Sequence, residues 1–265
     1  MNIGIIGGSG MYILLEGADE IQKETEYGNT SDNINIGNIN EVKVAFIPRH
    51  GKNHIIPPHR VPYKANIEAL AGMGVERIIA TNAVGSLNPD YKPGDFVIFD
   101  QFMNFTSNRD DTFFNGPRVV HISTAEAFCP ELRGLAISKA KSMGLSLHEK
   151  GTVAVINGPR FSSKAESKYF RNTGADMVNM TLYPEIALAR EKAMCYLGIG
   201  IVTDYDSGLE GDPGIKPVDY QEVGRMFSAN VPKLKELITA IVNEVPATRN
   251  SCNCSKSLEG AEVKV

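Results

Sequence analysis

The chain has 265 residues, enough for one or two domains, and a formal net charge of −4 at pH 7. Its 27 lysines and arginines are scattered, so no basic patch indicates nucleic-acid binding, and no apolar stretch approaches the ~20 residues of a membrane span. The amino terminus runs into a strand pattern without a signal-peptide arrangement, which predicts a cytoplasmic protein. Because no linker composition divides the chain, we expect one domain over residues 1–245 and a polar, mobile tail over 246–265.

The first predicted element is a buried strand that enters a glycine-rich turn at residues 7–10. Glycines let the backbone approach a ligand, successive N–H groups can bind an anion, and Ser9 adds a hydroxyl donor. A dinucleotide-binding loop is the alternative, but the third glycine of G-x-G-x-x-G is missing. The turn therefore favours an anion site over NAD.

Residues 31–48 predict a hairpin that turns at Gly37 and Asn38. The second strand ends in Arg49 and His50, and a guanidinium fork matches the geometry of a phosphate. A surface arginine beside an incidental histidine is the alternative interpretation.

The rest of the chain alternates strand and helix patterns, which predicts a parallel α/β sheet. The first predicted elements are a helix over about 62–73, strands at 77–86 and 95–99, a mostly irregular segment over 101–128 that includes His121, and a helix over about 130–143. A strand at 153–156, a helix capped by Ser163 with Glu166, a strand at 176–181, a helix to about 193 and a strand at 196–203 follow. The last predicted elements are a glycine-rich loop over 207–214, which is long enough to act as a lid, and a helix over 218–244 that Pro232 kinks or splits.

Two carboxylates, Asp204 and Asp206, follow the last buried strand. In open α/β sheets ligands bind beyond the carboxyl ends of the strands, and two close carboxylates with little solvent push one pKa upward. Such an acid can give up a proton near neutrality. A solvated turn or a helix N-cap is the alternative.

Four other strand ends carry anion donors, namely Ser9, Arg49 with His50, Asn82 with Ala83, and Thr181. No nucleophile elbow or Cys–His pair is evident in the sequence. An anion pocket that faces a proton donor predicts attack by free phosphate on a substrate whose leaving group needs a proton.

The chain resembles a known family, the 5′-methylthioadenosine phosphorylases of the purine nucleoside phosphorylase superfamily. The resemblance covers roughly residues 2–245 and rests on seven motifs in the family's order: GIIGGSG, PRHG, TNAVGSL, AFCPEL, NGPRFSSKAES, NMTLYPE and TDYD. It implies an α/β fold with a single-domain mixed, distorted sheet flanked by helices, assembled as a homotrimer or as a homohexamer built from two trimers.

The resemblance also implies roles for individual residues. Phosphate, as co-substrate and without any cofactor or metal, would be held by Ser9, Arg49, His50, Asn82, the Ala83 backbone and Thr181. Met180 would lie against the ribose, Phe161 against the base, and Tyr205 in the substrate site; Asp204 would protonate purine N7, and Asp206 would accept from the 6-amino group. Ser162 and Val218 match positions tied to substrate preference, and His121 would reach the 5′ end of a substrate in the neighbouring subunit.

Two departures from the family's pattern lie next to the expected base pocket: Asn157 stands where the family more often has Glu, and the residues after Asp206 lack the bulky aromatic of many members. Since a carboxylate attracts a 6-amino donor and repels a 6-oxo acceptor, Asp206 favours methylthioadenosine. The alternatives are a 6-oxopurine nucleoside phosphorylase, acting on inosine and guanosine, and a catalytically silent nucleoside-binding protein.

The four cysteines form no C-x-x-C pair, so zinc is not expected, and cytosolic cysteines are ordinarily free thiols. Heat-adapted archaeal members of the family resemble this chain in a C-x-C near the carboxyl terminus and in a second cysteine pair. That resemblance implies Cys129–Cys195 and Cys252–Cys254 disulfides.

Overall fold

The computed structural model describes residues 2–8, 11, 15, 18–209, 215–216, 218–249 and 251–263. Within these residues the strands are β1 (Ile3–Gly7), β2 (Asp19–Ile21), β3 (Glu24–Thr25), β4 (Gly28–Asn29), β5 (Ile34–Ile39), β6 (Val42–Pro48), β7 (Arg77–Ser86), β8 (Phe96–Ile98), β9 (Gln101–Phe105), β10 (Leu147–His148), β11 (Thr152–Ile156), β12 (Met177–Asn179) and β13 (Cys195–Asp204). The α-helices are α1 (Tyr63–Gly72), α2 (Pro130–Ser142), α3 (Lys164–Asn172), α4 (Leu182–Glu191) and α5 (Tyr220–Glu244). Short 3-10 turns cover Lys52–His54, Pro58–Arg60 and Cys254–Lys256.

Eleven of these strands form one mixed sheet, which confirms the predicted fold class. Its main path runs β10-β8-β13-β7-β1-β6-β5-β2, and β11 joins β9 and β12 beside it. The central strands β6, β1, β7 and β13 are parallel, whereas β8 runs antiparallel to β13 and β12 antiparallel to β7. The strands β3 and β4 form a separate hairpin.

The long strand β7 is where the sheet divides. It pairs with β13 as far as Gly85 and with β12 at Gly85 and Ser86, and the β13 register shifts between Val202 and Asp204. The carboxyl ends of β6, β7, β12 and β13 therefore lie around one opening. This distortion of the sheet creates the space for a site.

Helices cover both faces of the central sheet. On one face Ile6 and Ile78 pack in the core cluster that includes Ile67 of α1, and on the other Ile5 packs in the cluster that includes Leu234 of α5. Each fully buried aliphatic side chain of this kind stabilises the fold by ~1.5–3 kcal/mol. Because both faces are covered, the central strands are almost continuously apolar in the sequence.

Three local predictions differ from the structure. Strand β5 continues through Gly37, which pairs with Val44, so the first hairpin turns later than predicted, at Asn40. The φ of Asn40 is 51°, a left-handed conformation that asparagine tolerates. The irregular segment predicted over 101–128 begins with strand β9, which is stabilised by pairing with the distant β11. Helix α5 continues as one helix through Pro232, so this proline does not split it.

The described part of the carboxyl-terminal tail packs on the domain instead of extending from it. Arg249 donates to Ala193 O at 2.7 Å and to Glu76 Oε1 at 3.2 Å, and Ser251 donates to Glu131 Oε2 at 2.7 Å. Further along, residues 120 and 262 form a β-bridge.

None of the helices in the described ranges combines the length and apolar character needed to cross a membrane.

All four cysteines lie in the described part of the chain and are free thiols, so neither Cys129–Cys195 nor Cys252–Cys254 is bonded. The physical reason is that the four sulfur atoms form one cluster rather than two pairs. Cys195 Sγ lies 3.6 Å from Cys252 Sγ, and all four Sγ atoms lie within 4.8 Å of one another. A disulfide needs a separation of about 2.05 Å.

Candidate active site

The carboxyl ends of four strands line a single cavity of about 390 Å³, a size suited to a small-molecule ligand. The cavity brings together nine of the residues predicted from the sequence: Arg49, His50, Asn82, Ala83, Phe161, Met180, Thr181, Asp204 and Asp206. They come from segments up to 157 positions apart (49 to 206), so only the fold assembles them.

Arg49 follows β6 and is held in a fixed orientation by Glu185 of α4. Its Nε and Nη2 donate to the two carboxylate oxygens at 2.7 and 2.8 Å, and its Nη1 donates to Thr81 O at 2.9 Å. Both charged side chains are 1% exposed. Burial alone would lower the pKa of Arg49, but the ion pair with Glu185 raises it, so the guanidinium stays charged. These contacts use three of its five N–H groups.

Asn82 and Thr181 form the next part of the cavity wall. Asn82 Nδ2 is buried without a hydrogen-bond partner among the described residues, while Thr181 Oγ1 lies 3.5 Å from Asn82 Oδ1. Asn179 places Thr181 by accepting from its backbone N–H at 2.7 Å, and its own Nδ2 donates to Ala83 O. A buried donor without a partner costs about 1–3 kcal/mol, so Asn82 is poised to gain from an acceptor in the cavity.

His50 is a neutral imidazole whose tautomer follows from its contacts. Its Nδ1 lies 2.8 Å from Ile56 O, and because a carbonyl only accepts, Nδ1 carries the hydrogen. Burial, then the neighbouring His54 and Arg49, lower the pKa of His50 to about 3. His54 stacks on it with ring centroids 4.1 Å apart. The Nε2 of His50 is therefore an acceptor.

Asp204 and Asp206 also line the cavity. Asp204 accepts from Thr203 Oγ1 and from the Asp206 backbone N–H, both at 2.7 Å. Burial raises the pKa of Asp204 to about 7 despite these hydrogen bonds, with the charge of Asp206 adding to the shift. Asp206 is 3% exposed, its Oδ2 has no partner among the described residues, and burial raises its pKa as well.

Gly85 allows this carboxylate pair to pack against β7. A Cβ at this position would lie 2.9 Å from Asp204 Oδ1 and 3.1 Å from Asp206 Cα, which is too close for any side chain without movement of the pair. We therefore regard Gly85 as a positioning residue that the sequence analysis did not identify.

Of the other predicted residues, four lie outside the cavity lining: His121, Ser162, Tyr205 and Val218. Ser9 falls outside the described residues. Ser162 and Val218 contact the loop that carries Asp206, since Ser162 O accepts from Ser207 Oγ and Val218 N donates to Asp206 O. Tyr205 is half-buried beside the two aspartates, and His121 is exposed, with its backbone N–H donating to Ala261 O.

Sequence reasoning missed Glu185, Asn179 and His54. An acid in the first turn of a helix ordinarily indicates interaction with the helix dipole, so Glu185 carried no distinct signal. Asn179 directly precedes Met180, and His54 follows His50 by four positions. Only their contacts show that Asn179 places Thr181 and that His54 stacks on His50.

Comparisons with known proteins give matches over nearly the whole chain. The model of the family described as "Phosphorylase superfamily" matches residues 2–243. S-methyl-5′-thioadenosine phosphorylases from Pyrococcus furiosus and Thermofilum pendens are 54% and 51% identical, over 97% and 98% of both chains. Among solved structures, methylthioadenosine phosphorylase from Schistosoma mansoni in complex with adenine is 36% identical, with a TM-score of 0.89 over 98% of this chain and 96% of that chain.

These matches extend over almost the full chain and include the segments that form the cavity. The chain belongs to the phosphorylase superfamily and, within it, to the S-methyl-5′-thioadenosine phosphorylases.

Proposed function

We propose that the protein cleaves 5′-methylthioadenosine with inorganic phosphate to give adenine and 5-methylthioribose 1-phosphate, a step of purine and methionine salvage. The observation that carries the proposal is one cavity that is lined both by anion donors and by a carboxyl group, Asp204, whose pKa is about 7. The names of the close relatives support the same substrate.

Phosphate binds between the ends of β6, β7 and β12. Arg49 contributes the positive charge, Asn82 its unpartnered amide N–H, and Thr181 its hydroxyl, with the Ala83 backbone beside them. Charge-assisted hydrogen bonds of this type contribute about 1.5–3 kcal/mol each. His50 accepts the P–OH hydrogen of the phosphate at Nε2, which turns the unprotonated oxygens towards the substrate.

The bond between C1′ and the purine then breaks with its electron pair moving onto the base. Positive charge develops on the ribose, where the bound phosphate stabilises it, and negative charge develops on the purine, where Asp204 donates a proton to N7. A phosphate oxygen forms the new bond to C1′ from the face opposite the base. The reaction needs no cofactor, because phosphate is the nucleophile.

Asp206 accounts for the preference for adenine-type bases. As a carboxylate it accepts from the 6-amino group and repels a 6-oxo group. One observation favours the 6-oxopurine alternative, since burial raises the pKa of Asp206 and a protonated carboxyl could donate to a 6-oxo oxygen. The close relatives favour methylthioadenosine. A nucleoside-binding protein without catalytic activity would not need a proton donor in the same cavity as an anion site.

Purine release from methylthioadenosine, adenosine and inosine, each measured with and without phosphate, tests the proposal. We expect phosphate-dependent cleavage with the highest kcat/KM for methylthioadenosine. Preference for inosine would keep the mechanism and overturn the role of Asp206. No cleavage of any of the three would overturn the proposed activity.

Replacement of Asp206 by asparagine is expected to shift the kcat/KM ratio of inosine to methylthioadenosine by about 10–100-fold towards inosine, because an amide can donate to a 6-oxo oxygen. The ratio is measured from initial rates on both substrates. The exposed Asp90→Asn variant is the control and should leave the ratio unchanged. An unchanged ratio in the Asp206→Asn variant would show that this carboxylate does not select the base.

We also propose that the protein is cytoplasmic and assembles as a homotrimer or homohexamer in which His121 reaches the substrate of a neighbouring subunit. Its exposure is compatible with such a contact, and Val119 nearby is an exposed apolar side chain. Light scattering and the KM of a His121→Ala variant test the assembly and the contact. A monomer with full activity would contradict both.

A further inference from the structure

The four cysteines form a cluster that the phosphorylase reaction does not use. Cys195 begins β13 and Cys129 is the N-cap of α2, while Cys252 and Cys254 come from the packed tail. Three of them are almost fully buried, with exposed fractions of 0% for Cys129, 0% for Cys195 and 3% for Cys254. The sequence has no C-x-x-C pair, so it did not predict a zinc site. The fold, however, brings Cys129 and Cys195 from distant segments to the tail pair of Cys252 and Cys254.

The positions of the sulfur atoms fit a single tetrahedral ion. In a zinc tetrathiolate the Zn–S bonds of about 2.3 Å place the sulfurs about 3.8 Å apart. Cys195 Sγ and Cys252 Sγ are 3.6 Å apart, and no two of the four Sγ atoms are separated by more than 4.8 Å. If the four sulfur atoms coordinated one zinc ion, each would therefore have to move by less than about 1 Å.

The surroundings also favour a cluster that carries negative charge. A zinc tetrathiolate has a net charge of −2, and Cys129 stands at the positive end of α2. Arg77 is the register partner of Cys195 in β7 and is 0% exposed, yet its Nε and Nη1 have no hydrogen-bond partner among the described residues.

Hydrogen bonds and an ion pair hold the tail so that Cys252 and Cys254 lie beside Cys129 and Cys195. Arg249 anchors it to Glu76 and Ala193, and Ser251 anchors it to Glu131, whose other carboxylate oxygen lies 3.4 Å from Arg77 Nη2. These contacts lie immediately before Cys252. They place both tail thiols against the start of β13 without help from a disulfide.

We propose that Cys129, Cys195, Cys252 and Cys254 bind one Zn²⁺ ion, which fastens the carboxyl-terminal tail to the sheet. Binding forms four Zn–S bonds and releases the thiol protons to solvent, with no change in oxidation state. A tetrahedral set of four sulfurs is typical of zinc among the common divalent ions. The site lies at the amino end of β13, nine residues or about 30 Å from Asp204, so its role is structural.

The experiment is to express the full chain with zinc in the medium, purify it under mild reduction, and determine its metal content and its mass under native and denaturing conditions. We expect about one zinc per chain, four thiols that become reactive only after chelation, and a lower thermal midpoint in chelator. Cobalt added to the chelated protein should give the thiolate charge-transfer band and the visible bands of tetrahedral Co²⁺.

The Cys254→Ser variant should reduce zinc content from one per chain to a trace, remove the effect of chelator on the thermal midpoint, and retain phosphorolysis. Ser255→Ala, an exposed position in the same turn, is the matched control and should keep the ion. Zinc-free protein with four free thiols would overturn the proposal. So would a mass lower by four hydrogens, which would identify two disulfides in place of the ion.

Discussion

Replacement of Asp204 by asparagine is expected to lower kcat for phosphorolysis by about 10²–10⁴-fold, because the leaving purine loses its proton donor. Phosphate binding should stay within about twofold, since Asp204 accepts from Thr203 and the Asp206 N–H rather than from Arg49 or Asn82, and the amide keeps the size of the side chain. Turnover is measured by release of adenine from methylthioadenosine at saturating phosphate. Asp90→Asn, an exposed carboxylate, is the control and should retain full turnover.

The same residue predicts a pH dependence. Asp204 must be protonated to act as an acid, so kcat at saturating phosphate should be highest below its pKa of about 7 and fall as the pH rises through that value. The phosphate concentration must be saturating because inorganic phosphate itself titrates near neutrality, and its own titration would otherwise change the measured rate. The Asp204→Asn variant should lack this alkaline decrease. A variant with unchanged turnover, or a wild-type profile that is flat through neutrality, would contradict the assigned role.

Stability should depend on the same titration. The folded pKa of Asp204, about 7, lies above the ordinary value of 3.8, so the folded state binds more protons than the unfolded state between these values. The contribution of this group to stability is therefore full below pH 3.8 and is lost as the pH rises through about 7, by at most about 4 kcal/mol. Asparagine removes the charge, and the ligand-free variant should unfold at a higher temperature than wild type above pH 7.

Replacement of Glu185 by glutamine is expected to lower the free energy of unfolding by about 3–5 kcal/mol, because it leaves the buried charge of Arg49 without its counterion. Tyr196 Oη also donates to Glu185 at 2.7 Å, so the carboxylate is the centre of a buried network. Without the bidentate contact the guanidinium is no longer held in one orientation. The KM for phosphate should rise about tenfold, whereas the KM for the nucleoside should change little.

Chemical denaturation in phosphate-free buffer and initial rates at varied phosphate measure the two effects. Glu191→Gln is a matched control on the same helix, since Glu191 is 5% exposed and accepts from Thr112 and the Phe113 N–H. It should leave the KM for phosphate unchanged. Equal changes in that KM for the two variants would show that Glu185 does not position Arg49.

Features with a local cause could be predicted from the sequence. The apolar runs of β1, β7 and β13 identify strands buried on both faces, and the capping box of Ser163 and Glu166 marks the start of α3 because both of its hydrogen bonds lie within four residues. The polar residues at strand ends predicted the cavity because parallel strands bring their carboxyl ends to one edge.

Features with a distant cause were decided by the tertiary structure. Strand β9 exists because β11 pairs with it, and Arg49 is oriented by a carboxylate 136 positions away. The pKa of Asp204 rises because the folded chain removes water from it. The cysteines, separated by up to 125 positions (129 to 254), meet only because the tail packs on the start of β13. Periodicity and turn chemistry report what neighbouring residues favour, whereas burial, ion pairing and thiol clustering depend on which distant segments the sheet brings together.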